Sequence, residues 1–393
     1  MDIQIRPATA DDYRELARID GISYGAVFTE EDFSDTFKEP PSFLVALDGA
    51  RIVGVSGDYR FTMTVPGGAL IEVPGLTWVS VLPTHRRRGV LTELMRHQLA
   101  GYADAGDPVA VLTASEGGIY RRFGYGPATR EHKTVLDRRF ARLITAVDTS
   151  AVEFLPKEQV RAVLPGIHQR WCEQTPGALT RNEGWWDLLL LDRQAHREGM
   201  SETFYLVHPD GYLSYRVAEN WNEGLPAHRC EIIDYRMVTE QAHAALWQVL
   251  LNLDLFGTIE SRQIPADDQL PFLLTNSRQV QTVAASDGLW LCPVDVPAAL
   301  SQRRYLVDID AVIEVAGQRL RLSGGPDGAS CTVTDAAAEA SFTLPGLGSA
   351  YLGGHRVNTL ARAGLVRANR AGLLSQLDLA FGADRAPEYG THF

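Results

Sequence analysis

The chain has 393 residues, 45% of them hydrophobic, which is enough for large cores and for two or three domains. A formal net charge of −12 argues against a general nucleic-acid binder and suits a cationic substrate. Cys172, Cys230, Cys292 and Cys331 lie far apart with no CxxC pair, which favours isolated buried thiols in a reducing compartment over a zinc site.

The opening run "MDIQIRPATADD" has no basic region followed by an apolar one, so no signal peptide is expected. No uncharged apolar run reaches the ~18 residues of a membrane span, and a soluble, cytoplasmic protein is predicted. "DIQIRP" reads as a strand, and Thr9 with Asp12 as a capping box for the helix that follows. "SFLVALDGARIVGVSG" reads as a hairpin turning at Asp48-Gly49, and Leu76 to Leu82 as a further strand ended by Pro83-Thr84. Leu91, Leu94, Met95 and Leu99 recur at helical spacing after Gly89, and "PVAVLTAS" (108–115) is a buried strand.

Between that strand and that helix lies "VLPTHRRRGVL". Arginines at a helix start oppose the helix dipole, so the turn predicts an anionic partner. Gly89 would let a phosphate approach the backbone, with N–H groups and arginine charge converging on it. A solvated basic helix start is the competing reading.

The order recurs beyond residue 130. "ETFYLVHPDGYLSYRV" is a hairpin, "CEIIDYRMV" a strand, "TEQAHAALWQVLLNL" a helix capped by Thr239, and "TIESRQIP" a strand. Here the helix start carries Glu240 and no glycine, so a phosphate would be repelled. A third segment from "SDGLWLCPVDVPAAL" onward holds the strands "DIDAVIEV", "RLRLS", "CTVTD" and "EASFTL", then Ala/Leu-rich helical stretches predicted to run almost to Phe393.

The arrangement of strands, helix and "RRRG" turn resembles the GNAT N-acetyltransferase fold, in which this turn binds the pyrophosphate of acetyl-coenzyme A. "VLPTHRRRGVL" together with "SEGGIYRRFGYGPATR", "HPDGYLSYRV", "DGLWL", "VPAAL", "TDAAAE" and "GSAYLGGHR" resembles the enhanced-intracellular-survival (Eis) acetyltransferases of actinobacteria over essentially the whole chain. The resemblance implies an α/β and α+β protein of two tandem GNAT-like domains, 1–130 and 131–286, followed by a sterol-carrier-protein-like domain, 287–393. It implies a homohexamer.

The same resemblance makes Tyr120 the general acid and the terminal carboxylate of Phe393 the general base, with Tyr125 the competitor for the acid role. Acetyl-coenzyme A would lie along Val79 and Val81, on the turn formed by Arg86, Arg87, Gly89, Val90 and Leu91, and beside Ser115, while Arg88 faces solvent. Trp78 would line the acceptor pocket in place of a phenylalanine. Ala26 and His392 stand where aminoglycoside-acetylating relatives carry acidic residues, a loss that Glu30, Glu31, Asp32 and Asp35 could offset. The implied activity is acetyl transfer to primary amines of small polyamines, aminoglycoside-like molecules or lysine side chains, without metal. The alternative is a lipid carrier or interaction protein whose third domain encloses an apolar ligand, with "FTLPGLGSAYLGG" as the lining. Ordinary core packing is the simpler account of that run.

Overall fold

The computed structural model describes residues 3–38 and 40–393. Its strands follow the apolar alternation of the sequence. In chain order the first are β1 (Ile3–Pro7), β2 (Ser42–Asp48), β3 (Arg51–Thr64), β4 (Leu70–Val81), β5 (Val109–Thr113) and β6 (Gly126–Pro127). Helices α1 (Tyr13–Tyr24), α2 (Glu30–Thr36), α3 (Val90–Ala105) and the short α4 (Gly117–Tyr120) connect them. The β2–β3 hairpin closes with Asp48 opposite Arg51, and Gly49 at φ +62° supplies the left-handed residue of the turn. Asp2, in the predicted first strand, lies outside the described residues.

The second half supplies β7 (Arg130–Asp137), β8 (Glu153–Leu155), β9 (Phe204–His208), β10 (Gly211–Ala218), β11 (Trp221–Asn222), β12 (Leu225–Pro226), β13 (His228–Met237), β14 (Phe256–Ile264) and β15 (Val280–Asp287). Its helices are α5 (Lys157–Gln174), α6 (Glu183–Leu189), α7 (Glu240–Leu251) and α8 (Leu270–Leu273). Thr239 caps α7 by accepting a hydrogen bond from Ala242 N–H at 3.2 Å.

The third segment opens with β16 (Leu289–Pro293) and α9 (Val296–Gln302). A five-stranded sheet follows, from β17 (Ile309–Val315), β18 (Gln318–Gly325), β19 (Gly328–Val333), β20 (Ala340–Phe342) and β21 (Val366–Ala368). It packs with α10 (Leu344–Tyr351), α11 (Val357–Arg362) and α12 (Leu373–Ala380).

Strand order gives the architecture. The first sheet runs β1-β2-β3-β4-β5-β16-β6 and the second β8-β9-β10-β13-β14-β7-β15. Each is antiparallel except for one central parallel pair, β4–β5 in the first and β13–β14 in the second. The recurrence read in the sequence is therefore a recurrence of topology.

One boundary differs from the sequence reading, which placed the third domain at 287–393. Leu289–Pro293 belongs to the first sheet, pairing Trp290 with Leu112 on one side and with Pro127 on the other. The physical reason is burial: all five of its residues are buried, as an interior strand between two neighbours requires. The chain forms two compact units, one of residues 1–129, 289–384 and 389–393, the other of 130–288 and 385–388.

Helix ends at Ala380, not near Phe393 as predicted, and the segment containing Gly382, Pro387 and Gly390 continues without regular structure. "FTLPGLGSAYLGG" is packed, with Leu347, Ala350, Tyr351 and Leu352 fully buried. A methyl group on Gly348 would lie 2.1 Å from Leu291 O, so helix α10 sits directly on β16. That close approach supports core packing and not a lipid lining. All four cysteines are free and buried, as expected. Among the described residues no helix is long and apolar enough to cross a membrane.

Candidate active site

The site begins where the first sheet opens. The parallel β4–β5 ladder holds only Gly75↔Val111 and Leu76↔Leu112. At the same point β4 bulges against β3: Gly57 pairs with Thr77 and Val55 with Ser80, leaving Trp78 and Val79 opposite Ser56. Trp78 takes φ +53°, a left-handed conformation that a bulky residue adopts only when its surroundings impose it. Beyond Leu76, β4 therefore has no ladder to β5, and the main chain of Val79 and Val81 lies on that open edge. An extended amide-bearing chain can pair there.

The basic turn follows directly. Arg87 (φ +61°) and Gly89 (φ +88°) are both left-handed, the backbone class in which successive N–H groups converge on an anion. Helix α3 starts at Val90 with no side-chain cap, so its first-turn donors have no side-chain partner. A methyl group on Gly89 would meet nothing within 4 Å, which leaves open space in front of the turn. The residues present thus fit a diphosphate.

Arg86, Arg87 and Arg88 are all exposed, so Arg88 is not set apart by burial. Arg86 donates from Nε to Val81 O at 3.3 Å, tying the turn to the end of β4. The buried His85 fixes the turn from beneath through Thr84 Oγ1 (2.8 Å) and Asp48 Oδ2 (3.3 Å). Val90 is buried, with Leu91 half-buried beside it.

Across the opening, β5 leads into exposed Ser115, whose Oγ lies 3.5 Å from Tyr24 Oη. Helix α4 then carries Tyr120, 5% exposed. Burial, and more weakly Tyr24 and Glu116, push the Tyr120 phenol above its ordinary range, so it keeps its proton at neutral pH. Tyr125 packs against it edge-on at 6.1 Å, is fully buried, and its hydroxyl has no partner.

The chain end reaches the same sheet. Thr113 Oγ1 donates to the main-chain oxygen of Phe393 at 3.3 Å. The Phe393 ring packs on Phe61 with centroids 4.9 Å apart. Gly75 makes the room, because a methyl group there would lie 2.6 Å from Phe61 Cε2 and 2.8 Å from Phe393 Cε2.

The residues expected on the acceptor side are arranged less simply. Trp78 is half-buried among Phe28, Phe37 and Phe43, with ring centroids 5.5–5.6 Å away. Ala26 is exposed on the loop after α1, and its N–H bonds Gly21 O at 2.9 Å. His392 is exposed, with a ring nitrogen 2.9 Å from Tyr389 Oη. Of the carboxylates expected to offset the missing charge, Glu30 is paired with Arg14 at 2.8 Å and Asp32 is used in the cap at Thr29. Both are committed to local structure.

Sequence reading missed Gly75, Phe61 and Thr113, the residues that seat Phe393. The strand read from Leu76 begins at Leu70 in the structure, and a glycine inside a strand marks a close approach of other atoms. Asp20 was also missed; it accepts a hydrogen bond from Ser80 Oγ at 2.9 Å, and burial raises its pKa.

Comparison with known proteins identifies the domains. Residues 4–128 and 177–289 each match a family described as an acetyltransferase (GNAT) domain, and residues 296–389 match a sterol carrier protein domain. The N-acetyltransferase Eis of Mycobacterium tuberculosis is 42% identical over 345 residues, 86% of this chain and 84% of that protein. An uncharacterized N-acetyltransferase of Streptomyces coelicolor is 38% identical over 350 residues, 85% of this chain and 84% of its own. The crystal structure of Eis1 from Mycobacterium abscessus superimposes with a TM-score of 0.90 at 32% identity over the full length of both chains. Two GNAT domains followed by a sterol-carrier-type domain make the protein an acetyltransferase. The chain belongs to the Eis family of N-acetyltransferases.

Proposed function

We propose that the chain transfers an acetyl group from acetyl-coenzyme A to a primary amine of a small polyamine, an aminoglycoside-like molecule or a lysine side chain. The observation that carries this reading is the seating of Phe393: its main-chain oxygen rests on Thr113, beside the opened β4 edge and the basic turn. Bound acetyl-coenzyme A supplies an activated thioester. The chain's own groups bind, orient and move protons.

Arg87, the N–H groups at Gly89 and Val90, and Arg86 beside them hold the diphosphate. The free edge of β4 at Val79 and Val81 pairs with the amide-bearing arm. The α-carboxylate of Phe393, with an ordinary pKa of ~3.5, is too weak a base to deprotonate an ammonium ion outright. It takes the proton once attack has made the nitrogen acidic. Tyr120, its phenol pushed up by burial, is a poorer acid than the thiol it faces, whose ordinary pKa is ~8.5. Its O–H is better suited to stabilising developing charge on the sulfur by a hydrogen bond than to giving the proton up early. Trp78, Ala26 and His392 line the acceptor side, and with Glu30 and Asp32 engaged elsewhere the charge that draws a polycation there is reduced.

The test is release of free thiol from acetyl-coenzyme A across a panel of amines. Saturable, amine-dependent release supports the reading, and its absence with every amine in a protein that binds the cofactor overturns it.

A further inference from the structure

The two GNAT sheets open at corresponding places, with opposite charge. In the second sheet the parallel pair ends at Ile232↔Ser261, and β13 bulges against β10 at once, as β4 does against β3. A cavity of ≈160 Å³ lies at this opening. Its walls are Tyr235 and Met237 of β13, the start of α7 with Glu240 and His243, and the residues after β14. The remaining wall is the segment 385–388, which belongs to this unit: Ala386 N–H bonds Asp267 Oδ2 at 2.7 Å and Glu388 N–H bonds Pro176 O at 3.0 Å.

Four acidic side chains line this space, Glu240, Asp267, Asp268 and Glu388, against the guanidinium of Arg385 in the lining, 3.8 Å from Glu240, and that of the buried Arg236, which acts on Glu388 from outside it. Burial works against the charge of Asp268, yet hydrogen bonds from His243, Leu270 and Tyr235 outweigh it and hold the carboxyl below its ordinary range. Asp268 is therefore an anion. His243 is only 4% exposed; its Nε2 faces Asp268 at 3.2 Å, and its other ring nitrogen, Nδ1, is buried without a partner. With Nε2–H donated to an anionic carboxylate, Nδ1 of the neutral ring is an acceptor in need of an N–H donor.

We propose that this cavity binds a short alkyl primary amine as its ammonium ion, the carboxylates supplying the charge and His243 Nδ1 accepting one of the N–H bonds. The volume is close to the ~150 Å³ that takes up a benzene-sized molecule, which suits a short alkylamine and excludes an aminoglycoside. Trp171, whose ring already carries the Arg236 guanidinium at 4.6 Å, and Tyr235 add apolar surface to the lining, which suits an alkyl stem. Among the described residues no group of three His, Cys, Asp or Glu is arranged to hold a metal ion, and an orphan acceptor calls for an N–H donor instead. The first opening meets Arg86–Arg88 and the second meets acid, so one topology serves ligands of opposite sign. This site is independent of the chemistry assigned to Tyr120 and Phe393.

The experiment uses the full chain labelled with [methyl-13C]methionine, the Met237 methyl signal being assigned with Met237→Leu. Titration with 1,4-diaminobutane at mildly alkaline pH is expected to shift the Met237 signal saturably at millimolar concentrations. The uncharged 1,4-butanediol is expected to leave it in place. Asp267→Asn with Glu388→Gln keeps the shapes, removes the Asp267 charge and the Glu388 carboxyl that ionises only in mild alkali, and should weaken binding by about tenfold or more. Glu388→Gln alone, expected to weaken it severalfold, serves if the double variant is not folded. An unmoved Met237 signal, an equal response to the diol, or unchanged affinity in the folded variant overturns the proposal.

Discussion

Gly75 and Phe393 share one space: a methyl group on Gly75 would lie 2.8 Å from Phe393 Cε2, with Phe61 Cε2 at 2.6 Å. Neither ring sits at a flexible end that can swing away freely, because they pack on each other. Gly75→Ala should therefore shift Phe393 while leaving the basic turn intact. A misplacement of ~1 Å at a reacting group costs on the order of 10²-fold in rate. The expected result is a kcat reduced by about that factor with acetyl-coenzyme A affinity preserved. Gly101→Ala in α3, where a methyl group meets nothing within 4 Å, is the control and should raise stability by ~0.5–1 kcal/mol without touching kcat.

Tyr120 and Tyr125 are separable by their hydroxyls. Tyr120→Phe should bind acetyl-coenzyme A normally and lose about 10²–10⁴-fold in kcat. The Tyr125 hydroxyl is buried and unpartnered, so Tyr125→Phe removes a polar group already desolvated and should leave activity unchanged with stability equal or better. Steady-state kinetics and thermal melts on both variants decide it, and the reverse pattern would make Tyr125 the acid.

Extending the chain past Phe393 converts its carboxylate to an amide, which cannot take a proton. A C-terminally tagged protein should stay folded, bind acetyl-coenzyme A and transfer acetyl groups very poorly, while the N-terminally tagged protein works. Thr113→Val removes the hydroxyl that bonds the Phe393 oxygen and should cost severalfold in kcat, of the order expected for one hydrogen bond of ~0.5–1.5 kcal/mol. Full activity in a verified extended protein would falsify the role of the terminal carboxylate.

The topology was legible because local signals carry it. Asp48-Gly49, Pro209-Asp210 and Thr239 each act within a few residues, and the hairpins and helix they predict are present. The basic turn was legible for the same reason, since Gly89 needs its left-handed conformation whatever surrounds it. What was not legible depends on contacts distant in the chain. Leu289–Pro293 reads as an apolar run opening a new domain, and only its pairing with Val109–Thr113 puts it in the first sheet. Gly75 stands just outside the strand read over Leu76 to Leu82, and its place inside β4 shows only in the structure, with Phe393 beside it. The acidic cavity needs residues 385–388 as its wall, and nothing local to Asp267 or His243 announces that.

The basic turn makes a prediction that contrasts the two GNAT domains. Arg87→Ala should raise the KM for acetyl-coenzyme A by roughly tenfold or more, because a charge-assisted hydrogen bond is worth ~1.5–3 kcal/mol. Gly89→Ala should do so too, by forcing an L-residue into φ +88°. Glu240→Ala, at the corresponding helix start of the second domain, should leave that KM unchanged. Equal sensitivity at both helices would sink the one-cofactor reading.

Glu388 gives the protein a pH-dependent weakness. It faces the cavity yet lies among protein atoms; burial raises its carboxyl to about 8, Arg236 and Arg385 acting against the shift and Asp268 and Asp267 with it. A carboxyl whose folded-state pKa exceeds its unfolded value of ~4.3 holds its proton more tightly in the folded chain. Below the unfolded value both states are protonated and nothing is lost. As pH rises from there through about 8 the unfolded chain ionises first, so stability falls across that window and the loss then levels off. Glutamine imitates the protonated form at every pH. Glu388→Gln should therefore melt with the wild type in mild acid and at higher temperature than the wild type in mild alkali, the gap opening within the window and closing again as pH is lowered. Thermal melts across the pH series measure it directly. A gap that is constant with pH, or that favours the wild type in alkali, means that the cavity leaves Glu388 ionised in the folded chain.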